Sequence, residues 1–217
     1  MRTQGVAVMT PNPPNAPRAP NGTVRDTLAR GAQRLIAAGV AAGTLDAELL
    51  LLCVLERDRA WVYMHPEELI EHERTETYSK FIERRIAGEP AQYLTGRQEF
   101  WGLEFEVNPD VLIPRPETEH LVEVALERLG LERRKAALRI VDVGTGSGCV
   151  AVALAKELPS AQIVATDISR AALQTAARNA ARHQVSERIR FVEGDLLAPL
   201  LKEADDGAPF FDLVVSN

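Results

Sequence analysis

Ile140-Val141-Asp142-Val143-Gly144-Thr145-Gly146-Ser147-Gly148 is the stretch whose reading decides the fold. Its opening is rich in β-branched residues, the chemistry of a buried strand. Three alternating glycines follow, and Cys149 to Leu158 then has the composition of a helix. Glycines at a strand-to-helix turn let backbone N–H groups come close to a ligand, and the helix N-terminus adds partial positive charge. Such a loop is suited to a nucleotide-like molecule. A dinucleotide turn reads G-x-G-x-x-G, with its third glycine three residues after the second. Here Cys149 occupies that place, the third glycine comes one residue early, and Asp142 stands two residues before the first.

The pattern acid-x-G-x-G-x-G resembles motif I of class I S-adenosylmethionine-dependent methyltransferases. In that family the loop wraps the methionine end of the cofactor, which carries an ammonium, so a carboxylate at its mouth makes electrostatic sense. On the loop alone, a turn binding NAD, or no ligand, stays open. Two further acids narrow the choice. Asp167 ends a second strand pattern, Gln162 to Asp167, 23 residues after Gly144 and near the spacing of a ribose-binding acid. Asp195 ends a third, Ile189 to Asp195, and Phe211 to Asn217 forms a fourth. One acid after a strand is unremarkable; acids at three successive strand ends beside a triple-glycine loop form a joint signal.

Before the loop the patterns are helical. Thr23 is placed to cap a helix, with Val24, Leu28, Leu35 and Ile36 recurring on one face. Thr44 similarly precedes Leu45, Leu49, Leu52 and Cys53. A short helix is expected around Asp58 to Tyr63. Another is expected from about Pro66 to Gly88, with Leu69, Tyr78, Phe81, Ile82 and Ile86 inward. Residues 99–107 alternate apolar and acidic after Gly102, and with Val111-Leu112-Ile113 they predict a β-hairpin turned at Asn108-Pro109-Asp110. Then comes Ile113-Pro114-Arg115-Pro116-Glu117-Thr118-Glu119, where two prolines fix the backbone around one arginine, followed by a helix carrying Leu121, Val122, Ala125 and Leu129. Four segments are expected: a disordered leader over 1–22, with five prolines and two glycines; a helical domain over 23–88; a linker with the hairpin over 89–116; and a cofactor-binding domain over 117–217.

Gly88-Glu89-Pro90-Ala91-Gln92-Tyr93-Leu94-Thr95-Gly96, Phe100, Gly102 and the Leu112-to-Glu119 string resemble the peptide chain release factor glutamine N5-methyltransferases of the HemK/PrmC type. The resemblance runs from about residue 24 to the last. It implies a class I, Rossmann-like α/β fold whose strands are ordered 3-2-1-4-5-7-6, incomplete here with the first four, preceded by a small helical bundle and a hairpin. It implies S-adenosyl-L-methionine as cofactor, with Gly144, Thr145, Gly146, Ser147 and Gly148 cradling the methionine moiety and Asp142 nearby. By the same resemblance Asp167 meets the ribose, while Asp195 and Leu196 meet the adenine. Arg115 and Thr118 either border the pocket or lock the hairpin. Family members continue the fourth strand into Asn-Pro-Pro-Tyr, which receives the glutamine; Asn217 supplies the asparagine and holds the substrate amide. The sequence stops there, so a fragment with weak or absent methylation is expected. The implied partner is a release factor, methylated at the glutamine of a Gly-Gly-Gln motif, with the helical domain helping to grip it.

Length and composition agree with a soluble enzyme, and a cytoplasmic monomer is expected. At 217 residues with 46% hydrophobic content the chain suits one to two domains with a real core. The longest apolar stretch, Leu49 to Leu55, is far below the roughly 18 residues of a membrane helix. A net charge of −6 lacks the basic excess of a nucleic-acid binder. Arg133-Arg134-Lys135 and the segment from Arg178 to Arg190 read as solvated helix ends or loops. Cys53 and Cys149 read as buried reduced thiols, and four scattered histidines show no ligand spacing. The alternatives are a ribosomal-protein glutamine or DNA adenine methyltransferase, an NAD-dependent oxidoreductase, and a non-catalytic cofactor-binding module.

Overall fold

The computed structural model describes residues 22–133, 136–203 and 211–217. The expected leader, except Gly22, and Arg134 and Lys135 of the basic run lie outside the described residues. The chain divides into two compact units at Glu89–Pro90. Each is built on its own logic.

The first unit holds α1 (Val24–Ala37), α2 (Gly43–Leu55), α3 (Arg59–Met64) and α4 (His72–Ile86). Thr23 accepts a hydrogen bond from the Asp26 N–H at 3.1 Å, a side-chain cap that starts α1. The buried stripe of α1 is Val24, Thr27, Gly31 and Leu35. Ile36 falls off that stripe and is exposed, contrary to its expected inward place. Thr44 does not cap α2: the helix starts at Gly43 with Ala42 before it and no side-chain cap. Gly43 is there because a Cβ would lie 3.0 Å from the Ile36 nitrogen, so α1 and α2 approach backbone to backbone. The helix expected from Pro66 begins only at His72. Residues 66–69 instead bond back to the start of α1, with Val24 and Arg25 donating to the Glu68 and Pro66 carbonyls. That extended pairing turns Leu69 outward and buries Ile70, while Ile86 is exposed at the end of α4. Tyr78 donates to the Ala47 carbonyl at 3.1 Å, and Cys53 is only half-buried.

The second unit opens with α5 (Ala91–Thr95) and a hairpin of β1 (Arg97–Phe100) and β2 (Leu103–Glu106). The hairpin turns at Trp101-Gly102, not at Asn108-Pro109-Asp110, with Phe100 opposite Leu103. Both turn residues are left-handed, φ 56° and 65°, as a two-residue hairpin turn demands. Tryptophan is an unusual occupant, so the sequence carries only the glycine half of the signal. Glu119 compensates by accepting the Trp101 backbone N–H at 2.8 Å. The Asn108 segment is a side-chain turn, in which Asp110 N–H donates to Asn108 Oδ1 at 2.9 Å. Val111 to Ile113 form no strand.

α6 (Pro116–Arg133) follows, broken at Gly130. The remainder alternates β3 (Arg139–Val143), α7 (Cys149–Glu157), β4 (Gln162–Asp167), α8 (Arg170–Arg182), β5 (Ile189–Glu193), α9 (Ala198–Glu203) and β6 (Leu213–Ser216). The sheet is parallel and ordered β5-β4-β3-β6, the 3-2-1-4 order the resemblance implies. Strands leave β3 in both directions, so the crevice at the carboxyl ends of β3 and β6 is the topological switch point where such sheets bind ligands. Helix α7 is buried nearly all round. Phe100 and Phe105 of the hairpin pack into the same core as Val122, Ile140, Leu154 and Ile163.

Candidate active site

The switch-point crevice holds a cavity of about 70 Å³ lined by Leu112, Ile113, Pro114, Arg115, Thr118, Asp142, Gly144, Thr145, Gly146, Ser147, Cys149, Val150 and Asn217. Eight of the residues singled out from sequence meet there. Gly148, Asp167, Asp195 and Leu196 are not among its lining.

Main-chain bonds shape the glycine loop. Gly144 and Thr145 N–H groups donate to the Thr166 carbonyl at 2.8 and 2.9 Å. Asp167 accepts from Gly146 N–H at 2.8 Å and from Ser169 N–H at 2.9 Å. The three glycines divide by role. Gly144 and Gly146 have positive φ, and a Cβ on either would meet open space. Gly148, also left-handed, would press a Cβ to 2.9 Å from that of Ala176 in α8. Two glycines therefore keep a concavity open, and the third seats the helix. Asp195 and Leu196 lie beyond β5, both exposed, with Leu196 at φ 48°.

Asp142 is buried, and that burial pushes its carboxyl up to about 6, helped by the charge of Asp167. The Thr145 hydroxyl, donating at 2.6 Å, and the Ala151 N–H in the first turn of α7 oppose the shift. Burial also pushes the Cys149 thiol up to about 12, which makes it inert at neutral pH.

At the other wall, Asn217 donates from Nδ2 to Thr118 Oγ1 at 3.0 Å. Thr118 is buried in the first turn of α6, and its own N–H donates to the Arg115 carbonyl at 3.0 Å. Arg115 lines the cavity with its side chain largely exposed. The Pro-Arg-Pro-Glu-Thr-Glu string thus serves two places at once: Thr118 reaches the end of β6, and Glu119 holds the hairpin turn.

Sequence reasoning missed Asn179. Buried in α8, it accepts from Glu106 N–H at 2.7 Å, donates to the Glu106 carbonyl at 3.0 Å and donates to the Ser147 carbonyl at 2.9 Å. One side chain thereby ties β2 to the glycine loop. The available signal was an asparagine among the mainly apolar positions Leu173, Ala176 and Ala180 of one face, which also carries Thr175. The basic stretch from Arg178 is also not simply solvated, since Arg178 and Arg182 pair with Glu106 and Glu104 of the hairpin.

Residues 26–96 match the PrmC N-terminal domain and residues 134–217 a methyltransferase domain. The chain is 44% identical over 195 residues to the release factor glutamine methyltransferase of Koribacter versatilis, covering 90% of this chain and 66% of that protein. Against the protein of the same name from Nitratidesulfovibrio vulgaris the identity is 43%, covering 91% and 64%. Against that from Chlorobaculum tepidum it is 47%, covering 80% and 59%. The chain carries a PrmC N-terminal domain and a methyltransferase domain, and its curated relatives are release factor glutamine methyltransferases. It spans just under two thirds of the length of the curated relatives it matches. Among solved structures it is similar to a ribosomal protein L11 methylase from Lactobacillus delbrueckii subsp. bulgaricus, at 34% identity and a TM-score of 0.38, covering 48% of this chain and 47% of that one.

The cofactor of this methyltransferase family is S-adenosylmethionine, and the residues present fit it. Gly144 and Gly146 leave space exactly where side chains would fill it. The buried Ser147 Oγ, on the cavity wall, has no hydrogen-bond partner of normal geometry. Asp142 offers a carboxylate able to meet an ammonium.

Proposed function

We propose that this protein transfers a methyl group from S-adenosylmethionine to the side-chain amide nitrogen, N5, of the glutamine in the Gly-Gly-Gln motif of release factors. One observation carries this reading: the end of β6 brings the Asn217 carboxamide to the cavity that the glycine loop opens. Names of the relatives support the substrate class.

Bound there, the cofactor supplies a methyl already activated on a sulfonium. The residues of the chain bind and orient. Gly144 through Ser147 hold the methionine end, and ionised Asp142 faces its ammonium. Gly148 supports them by seating α7 against α8. Asp167, already aligned by two backbone N–H groups, has lone pairs left for ribose hydroxyls. Asp195 and Leu196 offer an acceptor and an apolar face to adenine.

Asn217 works on the acceptor. A carboxamide nitrogen is a poor nucleophile because its lone pair is delocalised into the carbonyl. The Asn217 side-chain oxygen accepts one of its N–H groups, which fixes the nitrogen in place. Orientation of this kind supplies several kcal/mol of a barrier.

The test is incubation of the full-length protein with a release factor and labelled S-adenosylmethionine, with peptide mass spectrometry to locate the methyl. One methyl on the glutamine is expected. An unlabelled release factor, with label taken up by DNA adenine or by a ribosomal protein in parallel incubations, would replace this reading with those acceptors. Calorimetry showing affinity for NAD but not S-adenosylhomocysteine would overturn the cofactor assignment.

A further inference from the structure

We propose that Thr118 is a positioning residue for methyl transfer: by accepting from Asn217 Nδ2 it holds the Asn217 carboxamide at the cavity, with Oδ1 left to face the substrate amide. The inference rests on the function proposed above.

A carboxamide is nearly symmetric in shape and opposite in hydrogen-bonding sense at its two ends. The substrate amide nitrogen brings N–H donors. If Asn217 turned its NH₂ toward them, donor would meet donor and the nitrogen would lose its anchor. The backbone alone does not select the orientation. Ser216 pairs with Val143 in the β3–β6 register, and its Oγ donates to the Val143 carbonyl at 3.0 Å. Those bonds set where residue 217 begins and leave its amide free to rotate about its last torsion.

Thr118 limits that freedom by holding one end of the amide. Its Oγ1 accepts from Asn217 Nδ2 at 3.0 Å across 99 positions of sequence. With Nδ2 engaged by Thr118, Oδ1 is left to accept from the substrate. Thr118 is well made for the task. It is only 4% exposed, so water does not compete strongly for its hydroxyl. Its backbone is set by the bond to the Arg115 carbonyl and by prolines at 114 and 116. It lines the same cavity as Asn217 and the glycine loop. A lone hydroxyl on a rigid, buried turn thus acts on the reaction through another residue rather than by touching the reacting atoms.

The test uses the full-length protein and two substitutions, Thr118→Val, which keeps the shape and removes the hydroxyl, and Thr118→Ser, which keeps the hydroxyl. Three measurements are made: release-factor methylation, S-adenosylhomocysteine affinity by calorimetry, and the side-chain amide resonances of Asn217 by nitrogen-15 NMR. The expected result for Thr118→Val is a fall in kcat of about 10- to 100-fold, cofactor affinity within twofold, and a shift in the Asn217 amide resonances. Thr118→Ser restores most of kcat and the wild-type resonances. Unchanged kcat in the valine variant would overturn the proposal. So would loss of cofactor affinity in parallel with activity, which would place Thr118 in the cofactor pocket, and so would a serine variant as impaired as valine, which would make the role one of packing. A wild-type protein that methylates no glutamine would remove the functional reading and with it the catalytic role; the NMR comparison would then report only whether Thr118 orients Asn217.

Discussion

The glycine loop and the Pro-Arg-Pro-Glu-Thr-Glu string form opposite walls of one cavity and are held in different ways. The loop is fixed largely through its backbone, by the Thr166 carbonyl, the Asp167 carboxylate and Asn179. The string fixes others through its side chains, Thr118 reaching Asn217 and Glu119 reaching the Trp101 N–H. Cofactor binding needs close backbone approach, which glycine gives at any acceptor specificity. Acceptor placement needs particular polar atoms at particular distances, which only side chains supply. On the proposed function, the donor wall is therefore generic and the acceptor wall individual.

The largest expected effect comes from cutting the tie between loop and hairpin. Asn179→Leu leaves the Glu106 N–H and carbonyl and the Ser147 carbonyl without their partner in a buried place. At 1–3 kcal/mol for each unsatisfied group, with relaxation, destabilisation of about 4 kcal/mol is expected in urea unfolding. A loss below 1 kcal/mol would mean that the loop holds its shape without Asn179. Next in size is Gly148→Ala, which combines left-handed strain with a Cβ 2.9 Å from that of Ala176; about 3 kcal/mol is expected. Gly146→Ala sharpens the contrast. It carries strain alone, about 1–2 kcal/mol, yet its Cβ enters the open concavity, so S-adenosylhomocysteine affinity should fall more than tenfold. Equal stability losses at 146 and 148 would erase the distinction between an open glycine and a packed one.

These two walls were unequally legible. Strand-then-glycine-then-helix is a local pattern, so β3, its loop and α7 could be read directly, as could β4 and β5. The 3-2-1-4 order came through resemblance rather than periodicity. What escaped was pairing over long separations: Asn179 with Glu106 and Ser147, Thr118 with Asn217, Glu119 with Trp101. Nothing in the sequence near either partner announces the other. The misplaced hairpin turn has the same origin. Asn108-Pro109-Asp110 has strong turn chemistry, whereas Trp101-Gly102 takes its strained conformation with help from Glu119 and from Glu157, which accepts the indole N–H at 2.9 Å. In the helical unit, the start of α4 was misjudged because residues 66–69 pair with the distant start of α1.

Asp142 gives a pH test of the donor wall. Its carboxyl ionises near 3.8 when unfolded and at about 6 in the fold. The folded state therefore keeps the proton through that window. The stability contributed by this group is full below about pH 4 and is lost as pH rises through 6, on the order of 3 kcal/mol. Asp142→Asn should flatten this part of the stability–pH curve, measured by urea unfolding between pH 4 and 7. Cofactor affinity should run the other way. If ionised Asp142 faces the ammonium, binding of S-adenosylhomocysteine weakens as pH falls below 6, by up to tenfold per pH unit, and the asparagine variant loses that dependence. A wild-type affinity flat from pH 5 to 7 would remove Asp142 from the cofactor site.

The smallest effect lies on the solvent side of the same hairpin. Arg178 pairs with Glu106 at 2.7 Å, and Arg182 pairs with Glu104. The Arg178 and Glu106 side chains remain 50% and 38% exposed. Water and salt screen such a pair, and holding two long side chains costs rotamer entropy, so the net contribution is about 0–1 kcal/mol. Arg178→Ala should accordingly move the urea midpoint slightly, and less still in high salt. Asn179, next to it in sequence and bonded to the same Glu106, differs in being uncharged, in being buried and in using backbone groups as partners. The ratio of the two losses, measured in one background, tests whether burial rather than charge ties the hairpin to the glycine loop. Comparable losses would show that the exposed ion pairs do as much as the buried amide.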